Sequence, residues 1–167
     1  MNWLERPKFW IKINDPHLNN YMRILSKKRH YQDDEGYELE YNPAFNRLTL
    51  IGSGDDLASI NTINLDTNWH PVAGTISTAI PIRKSPSVDN GWSKGKNAKL
   101  YLDGEAVLTN GKVSPLKAGH TDVSIGQISS GGAFFDGLID ELQLYKRTLN
   151  PAEIKNIFQA GSKGVCK

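Results

Sequence analysis

The stretch that decides the fold is "FFDGLIDELQLYKRTLNPAEIKNIFQAG", residues 134–161, which predicts one long strand followed by one short helix. Asn150 can cap a helix, Pro151 suits the first helical position, and Glu153 stands where a capping box requires an acid. Three apolar residues then fall on one helical face: Ile154, Ile157 and Phe158. We therefore expect one short helix that covers an edge or corner of a β-sheet protein.

The rest of the chain alternates apolar and polar residues with the period of two that is typical of strands. In "GYELEYN", Glu38 and Glu40 share one face, while Tyr37, Leu39 and Tyr41 share the other. The segment "NAKLYLDGEAVLTNG" predicts a hairpin that turns at Asp103-Gly104. About nine or ten such strands, without an internal repeat or linker, predict an all-β sandwich of two antiparallel sheets. We expect a single domain over residues 1–167.

Composition bounds the class of protein further. With 38% apolar and 23% charged residues, the chain is expected to fold rather than remain disordered. A net charge of +2 gives no reason to expect nucleic-acid binding, and the basic run "KKRH" at 27–30, answered by "DDE" at 33–35, predicts a solvated loop. No apolar run reaches the roughly 18 residues that a membrane span needs. The N-terminus does not resemble a signal peptide, so we expect either that a leader has been removed or that the chain is a piece of a longer protein.

Four segments together resemble one known family. They are, in order, "GYELEYN…NRLTL", "LDTNWHPVAGT", "NAKLYLDGEAV" and "FFDGLIDELQLYKRTLNPAEIKNIFQAGSKGVC". This order is similar to the laminin-G-like family of the concanavalin A-like lectin/glucanase superfamily, and the resemblance runs from about Phe9 to Cys166. It implies a β-sandwich jelly roll and a non-catalytic module, extracellular or at the cell surface, that binds a glycan or a cell-surface protein. The strand that usually precedes "KFWIKI" is expected to be shortened, absent or atypical.

A catalytic function is the alternative to this interpretation. Glycoside hydrolysis needs two carboxylates on either side of the scissile bond. The related glucanases supply them with a Glu-x-Asp-x-x-Glu strand, which neither "EGYELEY" nor "DGLIDE" matches. We therefore expect no catalytic residue. A glucanase-like hydrolase and a purely structural or oligomerisation jelly roll remain the alternatives.

Aromatic residues in polar loops are the candidates for glycan binding. Trp92 lies in "SVDNGWSKGKN", where its indole can stack on a sugar or fold back over the sheet edge. Tyr31, in "RHYQDDEG", is a second candidate, and Asp33 and Asp34 beside it are expected to contact the ligand. Trp10 and Tyr41 are expected to pack in the interior, and the resemblance to the family implies a core position for Trp69 in "NWHPVAG" as well.

Asp140 is unusual because it stands in an apolar strand, where an unpaired carboxylate is costly. A salt bridge, hydrogen bonds or a bulge that turns it to solvent would explain it. The segment "IDELQLY" is also similar to the final strand of the superfamily's glucanases, in which an Asp at this place ligates a structural calcium. That resemblance implies Ca²⁺ bound by Asp140. Cys166, the only cysteine, is expected to be a free thiol.

Overall fold

The computed structural model describes residues 6–30, 32–52, 55–61, 63, 65–76, 98–107, 117, 119–145 and 147–160. These residues form ten strands and one α-helix. The elements are β1 (Arg6–Ile13), β2 (Met22–Ser26), β3 (Tyr37–Asn42), β4 (Arg47–Gly52), β5 (Asp55–Ile60), β6 (His70–Ile76), β7 (Ala98–Leu102), β8 (Glu105–Val107), β9 (Ser124–Ile125), β10 (Gly137–Tyr145) and α1 (Pro151–Ala160). A short 3-10 turn, Pro43–Phe45, joins β3 to β4.

The strands make two five-stranded antiparallel sheets. Sheet I has the order β10-β1-β6-β7-β8, and sheet II has the order β5-β4-β3-β2-β9. The predicted all-β sandwich with one C-terminal helix is therefore confirmed. Within the described ranges, no helix is long and apolar enough to cross a membrane.

The core lies between the two sheets and follows the alternation seen in the sequence. Tyr37, Leu39 and Tyr41 of β3 are all buried in it, as predicted. The sheets approach closely at Gly74, where an added Cβ would lie 3.3 Å from the Leu50 side chain. Removing such apolar side chains from water contributes about 1.5–3 kcal/mol each, which makes this interface the main source of stability.

Helix α1 begins with the predicted capping box. The Glu153 backbone N–H donates to Asn150 Oδ1 at 2.9 Å, and the Asn150 backbone N–H donates to Glu153 Oε2 at 2.8 Å. Ile154 and Phe158 are buried in a second cluster with Ala73, Tyr101 and Leu149, on the face of sheet I that is turned away from the core. The predicted docking of the helix on a sheet is therefore confirmed.

Two bulges decide which side chains face outwards. In β2 the register with β3 shifts between Arg23 and Leu25, so Arg23 and Ser26 both lie opposite the outward residues of β3 although they are three apart. In β10 the register with β1 shifts beside Glu141, whose φ is +51°, and Asp140 is exposed. The bulge turns Asp140 to solvent, which is one of the three explanations given above for a carboxylate in this apolar strand.

Three predictions about individual side chains need correction. Trp69 is 41% exposed and does not lie in the core, because it precedes β6 at the rim of the sandwich. Trp10 is only partly buried, because its neighbours Phe9 and Ile11 occupy the inward positions of β1. Lys28, predicted to lie in a solvated loop, is 1% exposed, whereas Arg29 and His30 are exposed as expected.

Candidate functional site

The outward face of sheet II is polar and almost entirely enclosed. We call it the polar face; its members are Arg23 and Ser26 of β2, Glu38, Glu40 and Asn42 of β3, and Arg47 and Thr49 of β4. They share a face because they alternate with the core residues of the same strands. Polar side chains at such depth must be paired or must serve a ligand.

Arg23 is the centre of the polar face. Its Nε donates to Glu38 Oε2 at 3.0 Å, and its Nη1 donates to Glu40 Oε2. The exposed fractions are 6% for Arg23, 0% for Glu38 and 2% for Glu40, so one guanidinium bridges two buried carboxylates.

Lys28 extends this charge network beyond β2. Its backbone N–H donates to Ser26 Oγ at 3.2 Å. Burial raises the pKa of Glu38, against the opposing charges of Arg23 and Lys28. Burial likewise lowers the pKa of Lys28, although the Glu38 charge acts to raise it. Both shifts have the same main cause, the burial of these groups away from solvent.

Three buried oxygens of the polar face have no hydrogen-bond partner among the residues that the structure describes. They are Glu38 Oε1, Asn42 Oδ1 and Thr49 Oγ1. Buried acceptors without partners are rare in native proteins and point to a bound water, ion or ligand group. The polar face therefore has hydrogen-bonding capacity that the described chain does not use.

The polar face opens at the end where β2 begins. Asn42 pairs with Arg47, and Met22 pairs with Tyr41, so the preceding Tyr21 continues the same row. Tyr21 is 44% exposed, and the side chain of Arg47 is 32% exposed. The Arg23 guanidinium lies 5.9 Å from the centre of the Tyr21 ring. We call Tyr21, Asn42 and Arg47 the open end.

The predicted ligand residues lie elsewhere or outside the described ranges. Asp33 Oδ2 accepts the His30 backbone N–H at 2.7 Å, and Asp34 forms an ion pair with Lys117. The hydrogen bond from Lys117 holds the pKa of Asp34 below its usual value. The negative charges of Asp33 and Asp34 also act to raise the pKa of Lys28. The loop that carries these two carboxylates therefore borders the end of the polar face that is opposite to the open end. Trp92, Tyr31 and Cys166 lie outside the described residues.

Asp140 is exposed, and its Oδ1 accepts the backbone N–H of Glu141 at 2.7 Å. Calcium takes six to eight oxygen ligands, usually from several carboxylates and carbonyls. In the part of the chain that the structure describes, no group of three or more His, Cys, Asp or Glu side chains could hold a metal ion. The described side chains around Asp140 therefore offer no cluster of carboxylates, and calcium stays an untested prediction.

Chelation tests this prediction. Because the β10 bulge already gives Asp140 a solvent-exposed position and a hydrogen bond, we expect the melting temperature to be the same in chelator and in millimolar calcium. A bound ion at a hundredfold excess over its Kd would add about 2.7 kcal/mol, or several degrees. A drop of that size in chelator, restored by calcium and absent in Asp140→Ala, would establish the calcium site instead.

Comparison with known proteins establishes the family of this chain. A model of laminin G-type domains, described as the concanavalin A-like lectin/glucanases superfamily, matches residues 8–155. The chain belongs to this family. Comparison with curated protein sequences finds no match.

Solved structures of low sequence identity show the same fold. The laminin-G-like chain superposes on the receptor-binding domain of botulinum neurotoxin type G with a TM-score of 0.61 and 17% identity, over 93% of this chain and 37% of that chain. It superposes on the carbohydrate-binding module CBM40 of the Ruminococcus gnavus IT-sialidase with a TM-score of 0.60 and 14% identity, over 92% of this chain and 82% of that module. The same module bound to α2,3-sialyllactose gives a TM-score of 0.60. At these identities the likeness establishes the jelly-roll fold.

Proposed function

We propose that this laminin-G-like domain is a non-catalytic glycan-binding module of a larger secreted or surface protein, and that the glycan binds at the open end. The observation that carries the proposal is the row Tyr21–Asn42–Arg47. It combines an exposed aromatic ring, a buried acceptor without a described partner, and a partly exposed guanidinium.

Each group of the open end suits a different part of a sugar. The Tyr21 ring offers an apolar surface for the C–H face of a pyranose. Asn42 Oδ1 can accept a hydrogen bond from a sugar hydroxyl, which would satisfy an acceptor that the described chain leaves without a partner. The Arg47 guanidinium can donate to hydroxyl or carboxylate oxygens of the same ligand.

The enclosed part of the polar face holds the open end in place. Arg23 contacts Tyr21 on one side and both glutamates on the other, and Arg47 Nη2 lies 3.9 Å from Glu40 Oε1. Side chains fixed in this way lose little conformational freedom when a ligand binds, which favours affinity. The buried charges thus contribute to recognition without touching the ligand.

The names of the structural relatives support a binding function in general terms. One is a receptor-binding domain, and another is a carbohydrate-binding module solved with α2,3-sialyllactose. These names concern those proteins, so the glycan class for this domain has to be measured. A cell-surface protein in place of a free glycan is the alternative partner.

A glycan array tests the proposal. We expect selective binding by the wild-type domain and about a tenfold loss in Arg47→Ala, because one hydrogen bond to a charged group is removed. The matched control is Arg29→Ala, an exposed arginine away from the open end. Equal binding by Arg47→Ala and the control would contradict the proposed site. Turnover of a β-glucan panel by the wild-type domain would replace the proposal with the hydrolase alternative.

A further inference from the structure

A cleft lies on the opposite side of the sandwich, where α1 meets the outward face of sheet I. An open cleft of about 340 Å³ is bounded by β1, the turn between β7 and β8, and the second half of α1. The residues that matter for its chemistry are Trp10, Pro71, Asp103, Glu105, Lys155 and Phe158. None of them belongs to the polar face or to the open end.

The floor of the cleft is aromatic. Trp10 faces outwards because Phe9 and Ile11 beside it are buried in the core. Its cross-strand neighbours are Pro71 on β6 and Asp140 on β10. Trp10 is only partly buried, so an indole surface continued by a proline ring remains available to a ligand.

The rim of the cleft carries charges that are already compensated. Lys155 Nζ lies 3.6 Å from Glu105 Oε1, across the gap between α1 and β8. His70 Nδ1 lies 3.2 Å from Asp103 Oδ1. Each carboxylate therefore has a nitrogen partner close by, and the rim offers acceptors and donors side by side rather than a single sign of charge.

The walls of the cleft are held together by direct packing. Gly104, at the tip of the β7–β8 turn, has a φ of +84°, and a Cβ added there would lie 3.2 Å from Phe158 Cδ2. The turn thus packs against the buried ring that anchors α1. A cleft with fixed walls loses little freedom on binding, as ligand sites generally require.

We propose that this cleft is a second carbohydrate subsite that takes one uncharged pyranose ring. The C–H face of the ring stacks on Trp10, and its hydroxyls donate to Glu105 and accept from Lys155. A cation would have to compete with Lys155 and His70 for the carboxylates, and an anion would face Asp103 and Glu105. The subsite extends the proposed function to another surface and does not depend on the open end.

The test is a titration of the folded, ¹⁵N-labelled chain with methyl β-glucoside, methyl β-galactoside and methyl α-mannoside, followed by two-dimensional NMR. We expect saturable shifts of the Trp10 indole N–H, which Trp10→Phe identifies, and of the Gly104 amide. Lys155→Met should weaken binding about tenfold, because it removes a charged donor. Lys99→Met, on the same face of sheet I, is the matched control.

Other results separate this site from the open end. Tyr21→Ala should leave the glycoside-induced shifts of Trp10 and Gly104 unchanged. Binding in the cleft is therefore tested independently of binding at the open end. The proposal is overturned if none of the three glycosides produces saturable shifts at Trp10 and Gly104. It is also overturned if tetramethylammonium chloride moves these resonances and the glycosides do not, or if Lys155→Met binds as tightly as Lys99→Met.

Discussion

Arg23→Ala is expected to lower the free energy of unfolding by about 3–5 kcal/mol, because it leaves buried carboxylates without their central partner. Glu38 is fully enclosed and Glu40 is 2% exposed, so solvent cannot replace the guanidinium. Urea unfolding of the variant and the wild type measures the difference. The exposed Arg29→Ala is the control and should cost less than about 0.5 kcal/mol.

The loss in Arg23→Ala should depend on pH. Burial already raises the pKa of Glu38 in the wild type, and removal of the Arg23 charge raises it further. A carboxyl group with a raised folded-state pKa holds its proton more tightly in the folded protein. The variant should therefore regain stability as the pH falls through that pKa towards the ordinary glutamate range. A loss below about 1 kcal/mol at neutral pH would show that the network does not stabilise this face.

Phe158→Ala is expected to cost about 3–5 kcal/mol, because the ring is 8% exposed and is packed between sheet I and the β7–β8 turn. Thermal or urea unfolding measures this difference. Asn156→Ala, at an exposed position of the same helix, controls for helix propensity and should change stability little. An effect of Phe158→Ala under about 1 kcal/mol would mean that α1 lies loosely on the sheet.

The parts of the fold that the sequence predicted are those set by local rules. The capping box at Asn150 and Glu153, the turn at Asp103-Gly104, and the alternation of β3 each depend on residues close together in the chain. Local patterns of this kind need no knowledge of the neighbouring strands. These elements were predicted correctly for that reason.

The candidate site was missed because it depends on pairing between strands. β2 was not predicted at all: its bulge makes both Ile24 and Leu25 core residues, which removes the period of two from a strand of five residues. Without β2, nothing placed Arg23 beside Glu38 and Glu40. The outward position of the two glutamates was the signal available in the sequence, since two acids on one face of a strand require a basic partner or a ligand.

Trp69 shows the opposite failure, in which a resemblance overrode local information. The family pattern placed it in the core, but it follows the polar turn Asp66–Asn68, where Asp66 Oδ1 accepts the Asn68 backbone N–H at 2.7 Å. A residue just after such a turn and before β6 lies at the rim of the sandwich, and Trp69 is 41% exposed there. The polar neighbours of Trp69 in the sequence were the better guide.

The measurement that tests the central claim most directly is NMR shift mapping with the glycan that binds most strongly on the array. We expect the largest saturable shifts at the Asn42 side-chain amide, the Arg47 Nε–H and the Tyr21 backbone amide, since these three residues form the open end. Shifts confined to the Trp92 indole or to the 33–35 loop would place the glycan at the sites first predicted from the sequence. That result, or the absence of saturable shifts at Tyr21, Asn42 and Arg47, would contradict the proposed binding site.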